Sequence, residues 1–166
     1  MPELMNTPAK SALRVAMEAR DLSAIVDAFA PDAEFRSPLT DKLAFKGRAE
    51  ITAITGVILG VFEDFHYTDE LQGERNGFLV ARARVDGVDL EIVDHILYRP
   101  DGKIEEFTVF FRPLPAAAVA LRMIGAGLGR RKSPARAALI STLARPLGFM
   151  TRTGDDIGAR LVRSVM

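Results

Sequence analysis

A chain of 166 residues, 48% apolar and 27% charged with ordinary glycine and proline levels, can bury the core of one domain and is too apolar to be disordered. The absence of cysteine excludes disulfides, thiolate metal centres and cysteine nucleophiles; two histidines, His66 and His95, are too few and too far apart for a histidine-rich metal site. The net charge of zero hides an asymmetry: residues 1–113 carry 13 basic and 20 acidic side chains, a net of −7, whereas residues 114–166 carry 9 basic and 2 acidic, a net of +7.

The opening MPELMNTPAK has no charged segment leading into an apolar core, so no signal peptide is expected, and a cytoplasmic protein is. Thr7-Pro8 reads as a helix start, Thr as N-cap and Pro at the first helical position, for a helix to about Arg20 with Leu13, Ala16 and Met17 on one stripe. A second helix, Leu22 to Ala30, carries Leu22, Ile25 and Phe29 and stops at Pro31-Asp32. A short strand, Ala33 to Arg36, ends at Ser37-Pro38, and a loop leads to Gly47. A third helix, Arg48 to Phe62, presents Ile51, Ile54, Ile58 and Phe62. Strands follow over Phe65–Gln72, Gly77–Val85, Val88–Tyr98 and Lys103–Arg112. Helices followed by a meander of strands imply an α+β domain.

The strands Gly77–Val85 and Val88–Tyr98 hold the most informative residue. Asp86-Gly87 between Val85 and Val88 is a two-residue hairpin turn. Pairing outward from it sets Arg84 opposite Asp89 and Arg82 opposite Glu91 on one face. The other face pairs Ala83 with Leu90, Ala81 with Ile92 and Leu79 with Asp94. Opposite charges that match twice fix the register, because a one-residue slip would flip every side chain. Asp94 is therefore one acid on an apolar face, which burial would keep protonated unless a partner offset the cost. The last strand continues that face, with Asp94 expected opposite Phe107, Ile92 opposite Val109 and Leu90 opposite Phe111, and His95 beside Glu106 on the outside.

Beyond Pro113-Leu114-Pro115 the chain turns helical and basic. Helices are expected over Ala116–Leu128, over Ala135–Ala144 with Arg145-Pro146 as its stop, and over Asp155–Val165. The run Gly125-Ala126-Gly127-Leu128-Gly129 follows a helix and not a strand, so it reads as close helix packing rather than a phosphate loop. The tail is expected to dock on its own domain, across the pocket mouth, or on a second subunit. Contact with an anionic lipid surface is the sharper alternative, and the tail lacks the interleaved aromatics that nucleic-acid binding favours.

The run RDLSAIVDAFAPDAEFRSP from Arg20 to Pro38, FKGRAEI from Phe45 to Ile51 and VDHILYRPDGKI from Val93 to Ile104 resemble the NTF2-like superfamily, in its SnoaL-like and ketosteroid-isomerase-like branch. The resemblance covers roughly residues 8 to 113. It implies a cone: a curved, mainly antiparallel sheet wrapped on N-terminal helices around an apolar pocket, here an NTF2-like domain over 1–113 with a basic helical extension over 114–166. Members include isomerases, cyclases, hydrolases, dehydratases and non-catalytic binding proteins, so the fold alone licenses no reaction. In the ketosteroid isomerases an oxyanion-hole Asp occupies the position of Asp94, a carboxylic acid kept neutral so that it donates a hydrogen bond. Their general-base Asp falls on Ser37 and their oxyanion Tyr on Leu13. For the limonene-epoxide-hydrolase branch, Arg84-Val85-Asp86 mimics the Arg-x-Asp pair, but strand parity points Arg84 outward and the last-strand Asp falls on Val109.

The candidate catalytic residues are thus Asp94, with the two phenols Tyr67 and Tyr98 as hydrogen-bond donors. The expected pocket lining is Leu79, Ala81, Leu90, Ile92 and Ile96 from the hairpin and Phe107, Val109 and Phe111 from the last strand. Ile54, Ile58 and Phe62 from the third helix complete it, with Ser37 placed to orient a ligand. The expected partners are a small lipophilic ligand carrying a carbonyl or hydroxyl group and a second copy in a homodimer. Neither cofactor nor metal is implied. Catalysis, as proton transfer next to a carbonyl in an isomerase or cyclase reaction, stays open beside the alternative of a non-catalytic interaction module whose tail docks on a partner.

Overall fold

The computed structural model describes residues 11–38 and 40–164. Two short helices, α1 (Ala12–Glu18) and α2 (Leu22–Asp27), lead into β1 (Phe29–Arg36) and β2 (Ala44–Lys46), followed by α3 (Gly47–Val61). Four long strands come next: β3 (Glu63–Gln72), β4 (Asn76–Val85), β5 (Val88–Tyr98) and β6 (Ile104–Arg112). Two helices end the chain, α4 (Leu114–Arg130) and α5 (Pro134–Ser164). All six strands form one sheet in the order β2-β1-β6-β5-β4-β3, with β1 and β6 parallel and every other pair antiparallel. This is the α+β architecture of an NTF2-like cone, a curved unclosed sheet over helices with further helices at the C-terminus.

The hairpin of β4 and β5 has the expected register: Arg84 faces Asp89, Arg82 faces Glu91, Ala83 faces Leu90, Ala81 faces Ile92 and Leu79 faces Asp94. Asp86 and Gly87 at its tip take φ of 51° and 74°, the left-handed pair that a type I′ turn demands. On the wet face Arg82 pairs with Glu91 at 2.9 Å, and Arg112 reaches the same carboxylate at 2.9 Å. Arg84 pairs not with Asp89 but with Asp64 on β3, at 3.2 Å. The inner face carries the core: Leu79, Ala81, Ala83, Leu90, Ile92 and Ile96 are all buried.

The structure differs from the sequence reading in several places, beginning with β2 (Ala44–Lys46), a strand within the segment expected to be a loop up to Gly47. The second helix stops at Asp27, and Phe29 and Ala30 begin β1; Pro31, which has no N–H to give a ladder, falls in the register shift between Phe29 and Glu34. Between β5 and β6 the pairing lies two residues from the expected one, with Asp94 opposite Val109, Ile92 opposite Phe111 and His95 opposite Thr108. The connection closes through the Arg99 N–H bond to the Lys103 carbonyl, and an irregularity at Leu97–Tyr98 displaces the ladder. His95 consequently leaves Glu106 and stacks on Phe78, ring centroids 4.7 Å apart. The two expected C-terminal helices are one, which passes through Pro146. Ala137 and Ile140 pack on Gly125 and Gly129 of α4, and the half-buried Ala144 and Thr151 recur at the same helical spacing on either side of the proline. The Thr7-Pro8 helix start lies outside the described residues, and α1 is capped instead by the Ser11 hydroxyl, which accepts from the Arg14 N–H.

Candidate functional site

The cone holds a partly open cavity of about 110 Å³. Its wall is aromatic and aliphatic because strand alternation sends Ile92, Phe107, Val109 and Phe111 inward, while α3 adds Ile54 and Ile58 and its C-cap residue Phe62. β1 contributes Phe29 and Phe35, and the segment after it Ser37 and Pro38. Phe107 is the hub of this wall, 5.6 Å from the Phe29 ring and 5.1 Å from the Phe35 ring. Among the described residues that line the cavity, Asp94 is the one ionisable group; Ser37 and Thr55 are the other polar side chains.

Asp94 is 4% exposed. Burial in this apolar surround disfavours its charged form and pushes its pKa from 3.8 up to about 7. The opposing influence is the Tyr67 hydroxyl, which donates to Asp94 Oδ2 at 3.4 Å. That distance is long for an O–H···O bond, so the carboxylate gains little from it and desolvation prevails. Tyr67 is itself buried, and desolvation and the neighbouring acid hold its phenol well above the usual range. Behind it stands Arg14 on α1, whose guanidinium lies 5.9 Å from the Tyr67 ring centroid and donates to the Tyr67 carbonyl at 3.2 Å. Glu18 at 3.2 Å and Glu70 at 3.5 Å hold that guanidinium in place. The chain of contacts runs from the surface through Arg14 and Tyr67 to a carboxyl group in the cavity wall.

Tyr67→Phe is expected to raise the Asp94 pKa further above about 7, because the one hydrogen bond that favours the carboxylate is lost. A carbon-detected NMR titration of the Asp94 carboxyl reads this directly; an unmoved or lowered midpoint would mean that the two groups do not touch in solution.

The other expected site residues divide in two. Leu79, Ala81, Leu90 and Ile96 are buried in the packed core of the sheet and do not reach the cavity wall. Tyr98 is also elsewhere: it is half-buried, hydrogen-bonded to Gln72, and lines a separate cleft with Arg75 and Arg99. Burial raises its phenol above the usual value, and it makes no contact with Asp94. Leu13 and Ser37, where the family resemblance puts the tyrosine and the base of the isomerases, both stand on the cavity wall, as does Val109. Arg84 points away, on the wet face.

Of the placements the sequence leaves open for the tail, α4 takes the pocket mouth, with lining residues that the sequence reading does not single out. Leu121, Ile124, Gly125 and Leu128 of α4 lie across the mouth, and Leu121, Ile124 and Leu128 recur at i, i+3 and i+7, a helical stripe readable in the sequence once its target is known. Close approach makes this cover tight: a Cβ on Gly127 would sit 2.5 Å from a Val57 methyl of α3. An engineered apolar cavity of about 150 Å³ holds a benzene molecule, so the space of about 110 Å³ under α4 is smaller than a multi-ring ligand would fill. No helix among the described residues is long and apolar enough to cross a membrane.

With this geometry in place, the relatives can be compared. The SnoaL-like domain family matches residues 10–112. Among solved structures, a steroid delta-isomerase from Pseudomonas aeruginosa is 33% identical, covering 74% of this chain and 88% of its own, with a TM-score of 0.62. A bacterial protein with a cystatin-like fold from Silicibacter pomeroyi is 24% identical over 75% of this chain and 86% of its own, with a TM-score of 0.65, and speaks for the fold alone. So does a protein of ketosteroid-isomerase-like fold from Catenulispora acidiphila in complex with trimethylamine, 15% identical over 64% of this chain and 86% of its own, TM-score 0.52. No functionally curated protein matches the sequence. A family match across residues 10–112 and one-third identity to an isomerase that shares the fold place the chain in the SnoaL-like family of the NTF2-like superfamily.

Proposed function

We propose that the protein binds a small lipophilic molecule bearing a carbonyl or hydroxyl group, with Asp94 as its polar anchor. The observation that supports this is a single acid, 4% exposed, in the wall of a cavity whose other lining is nearly all hydrocarbon. Apolar cavities with few convergent polar groups are the usual form of such sites. With a pKa of about 7, Asp94 is populated in both forms at neutral pH. The neutral carboxyl donates a hydrogen bond to a ligand oxygen. The carboxylate accepts a proton from a carbon next to a carbonyl and returns it to another carbon, which is isomerisation without a co-reactant. The similarity to a steroid delta-isomerase fits this chemistry, while Ser37 and Leu13 leave Asp94 to act without the partners those enzymes have.

The test is mass spectrometry of small molecules released from purified protein, followed by affinity measurements with whatever is found. A bound lipophile, held at least about tenfold more weakly by Asp94→Ala and near the parent's affinity by Asp94→Asn, is the expected result, since the Asn amide keeps a donor. Equal affinity in Asp94→Ala would remove Asp94 from the site. Loss in both variants would assign the carboxyl's proton rather than its geometry as the anchor.

A further inference from the structure

The last helix carries an apolar surface that the other described residues do not cover. α5 meets α4 through Ala137 and Ile140, where Gly125 and Gly129 let the helices approach: a Cβ on either glycine would lie 3.0 Å from α5 atoms. Roughly a third of a turn around α5 from that seam lie Leu139, Leu143, Met150, Ile157 and Leu161, at i, i+4, i+11, i+18 and i+22. They are 59%, 72%, 68%, 52% and 62% exposed. An apolar stripe along a helix of 31 residues, about 46 Å at the usual rise, is what an amphipathic helix buries against something.

Charge selects the occupant. Residues 114–166 hold nine Arg and Lys and two Asp. Arg136 and Arg160 flank the stripe, and Arg130, Arg131 and Lys132 form an exposed cluster at the turn between the helices. Two such tails would repel each other. A strip 46 Å long and about 10 Å wide on each copy would also bury only about 900 Å² in all, below the area a specific dimer needs. A surface of anionic headgroups over hydrocarbon satisfies both the charge and the stripe. We infer that α5 docks on anionic lipid bilayers, with its exposed leucine, isoleucine and methionine side chains in the headgroup boundary and the arginines on the phosphates. The docking itself does not depend on what the cavity holds.

Flotation of the full chain with vesicles of phosphatidylcholine, alone and mixed with phosphatidylglycerol, tests this. Binding to the mixed vesicles alone is expected, weakened by salt. Both Leu143→Glu/Ile157→Glu and Arg130→Glu/Arg131→Glu should weaken it by about tenfold or more. All four positions are exposed, so circular dichroism should match the parent's. Absence of binding to the mixed vesicles, or binding indifferent to both double variants, overturns the inference. So does a dimer in sedimentation velocity that Leu143→Glu/Ile157→Glu dissociates, since that gives the stripe to a second copy. None of these readouts reports on the cavity ligand, so the two proposals fail separately.

Discussion

Asp94→Asn is expected to be more stable than the parent at pH 8 and no more stable at pH 4. In the unfolded chain Asp94 ionises near 3.8, whereas in the fold it stays protonated until about 7. Between those values the unfolded chain releases a proton that the folded chain keeps, so rising pH favours unfolding. The carboxyl's contribution is thus fully present below about 3.8, falls through the window, and levels off above about 7. The separation corresponds to about 4 kcal/mol, a large part of the roughly 5–15 kcal/mol that holds a domain folded. An Asn in the same place cannot ionise, but its extra donor goes unpaired at a cost of about 1–2 kcal/mol. The net gain for the variant is then about 2–3 kcal/mol at pH 8 and slightly negative at pH 4. Urea unfolding at both pH values measures it, and parallel pH profiles for parent and variant would show that Asp94 is not desolvated.

A chain ended at Pro113 is expected to lose cooperative folding, and one ended at Arg131 to keep it. α4 lies beyond the span of the family match, yet Ala116, Ala117, Ala118, Val119 and Ala120 are 0–5% exposed, and Ala116, Val119 and Ala120 belong to the main core. Four buried methyl groups at ~0.8 kcal/mol each and a buried Val at about 1.5–3 kcal/mol come to about 5 kcal/mol, comparable with the whole stability of a modest domain. α5 contributes one buried apolar side chain among its described residues, Ala137, so its loss costs far less. Thermal unfolding of the two truncations followed by circular dichroism decides; a cooperative transition near the parent's for residues 1–113 would make α4 dispensable.

The parts of this fold legible in the sequence are those whose signals are local. Asp86-Gly87 fixes a two-residue turn, and the turn fixes every pair outward to Leu79 and Asp94, so the inward direction of Asp94 follows from a dipeptide. The longer connection before β6 carries no such constraint, and its pairing came out two residues away. The inward residues survived that error because side chains alternate with a period of two, and a shift of two leaves each on its own face. What local signals miss is set by packing at a distance. Tyr67 and Tyr98 look alike as phenols near strand ends, and only the curvature and order of the sheet bring one to Asp94 and the other to Gln72. Pro146 reads as a stop, but the helix runs through it from Pro134 to Ser164.

The roof that α4 makes over the cavity also has a kinetic consequence. A ligand that needs more than the 110 Å³ present and gains it by displacing α4 binds only the fraction of molecules in which α4 has moved, and its apparent affinity falls by that fraction. Association then runs below the diffusional rate, and its observed rate levels off at high ligand concentration at the rate of roof opening. Substitutions at Gly127, where α4 rests on Val57, would thus change how fast ligands enter and leave without touching any atom they contact.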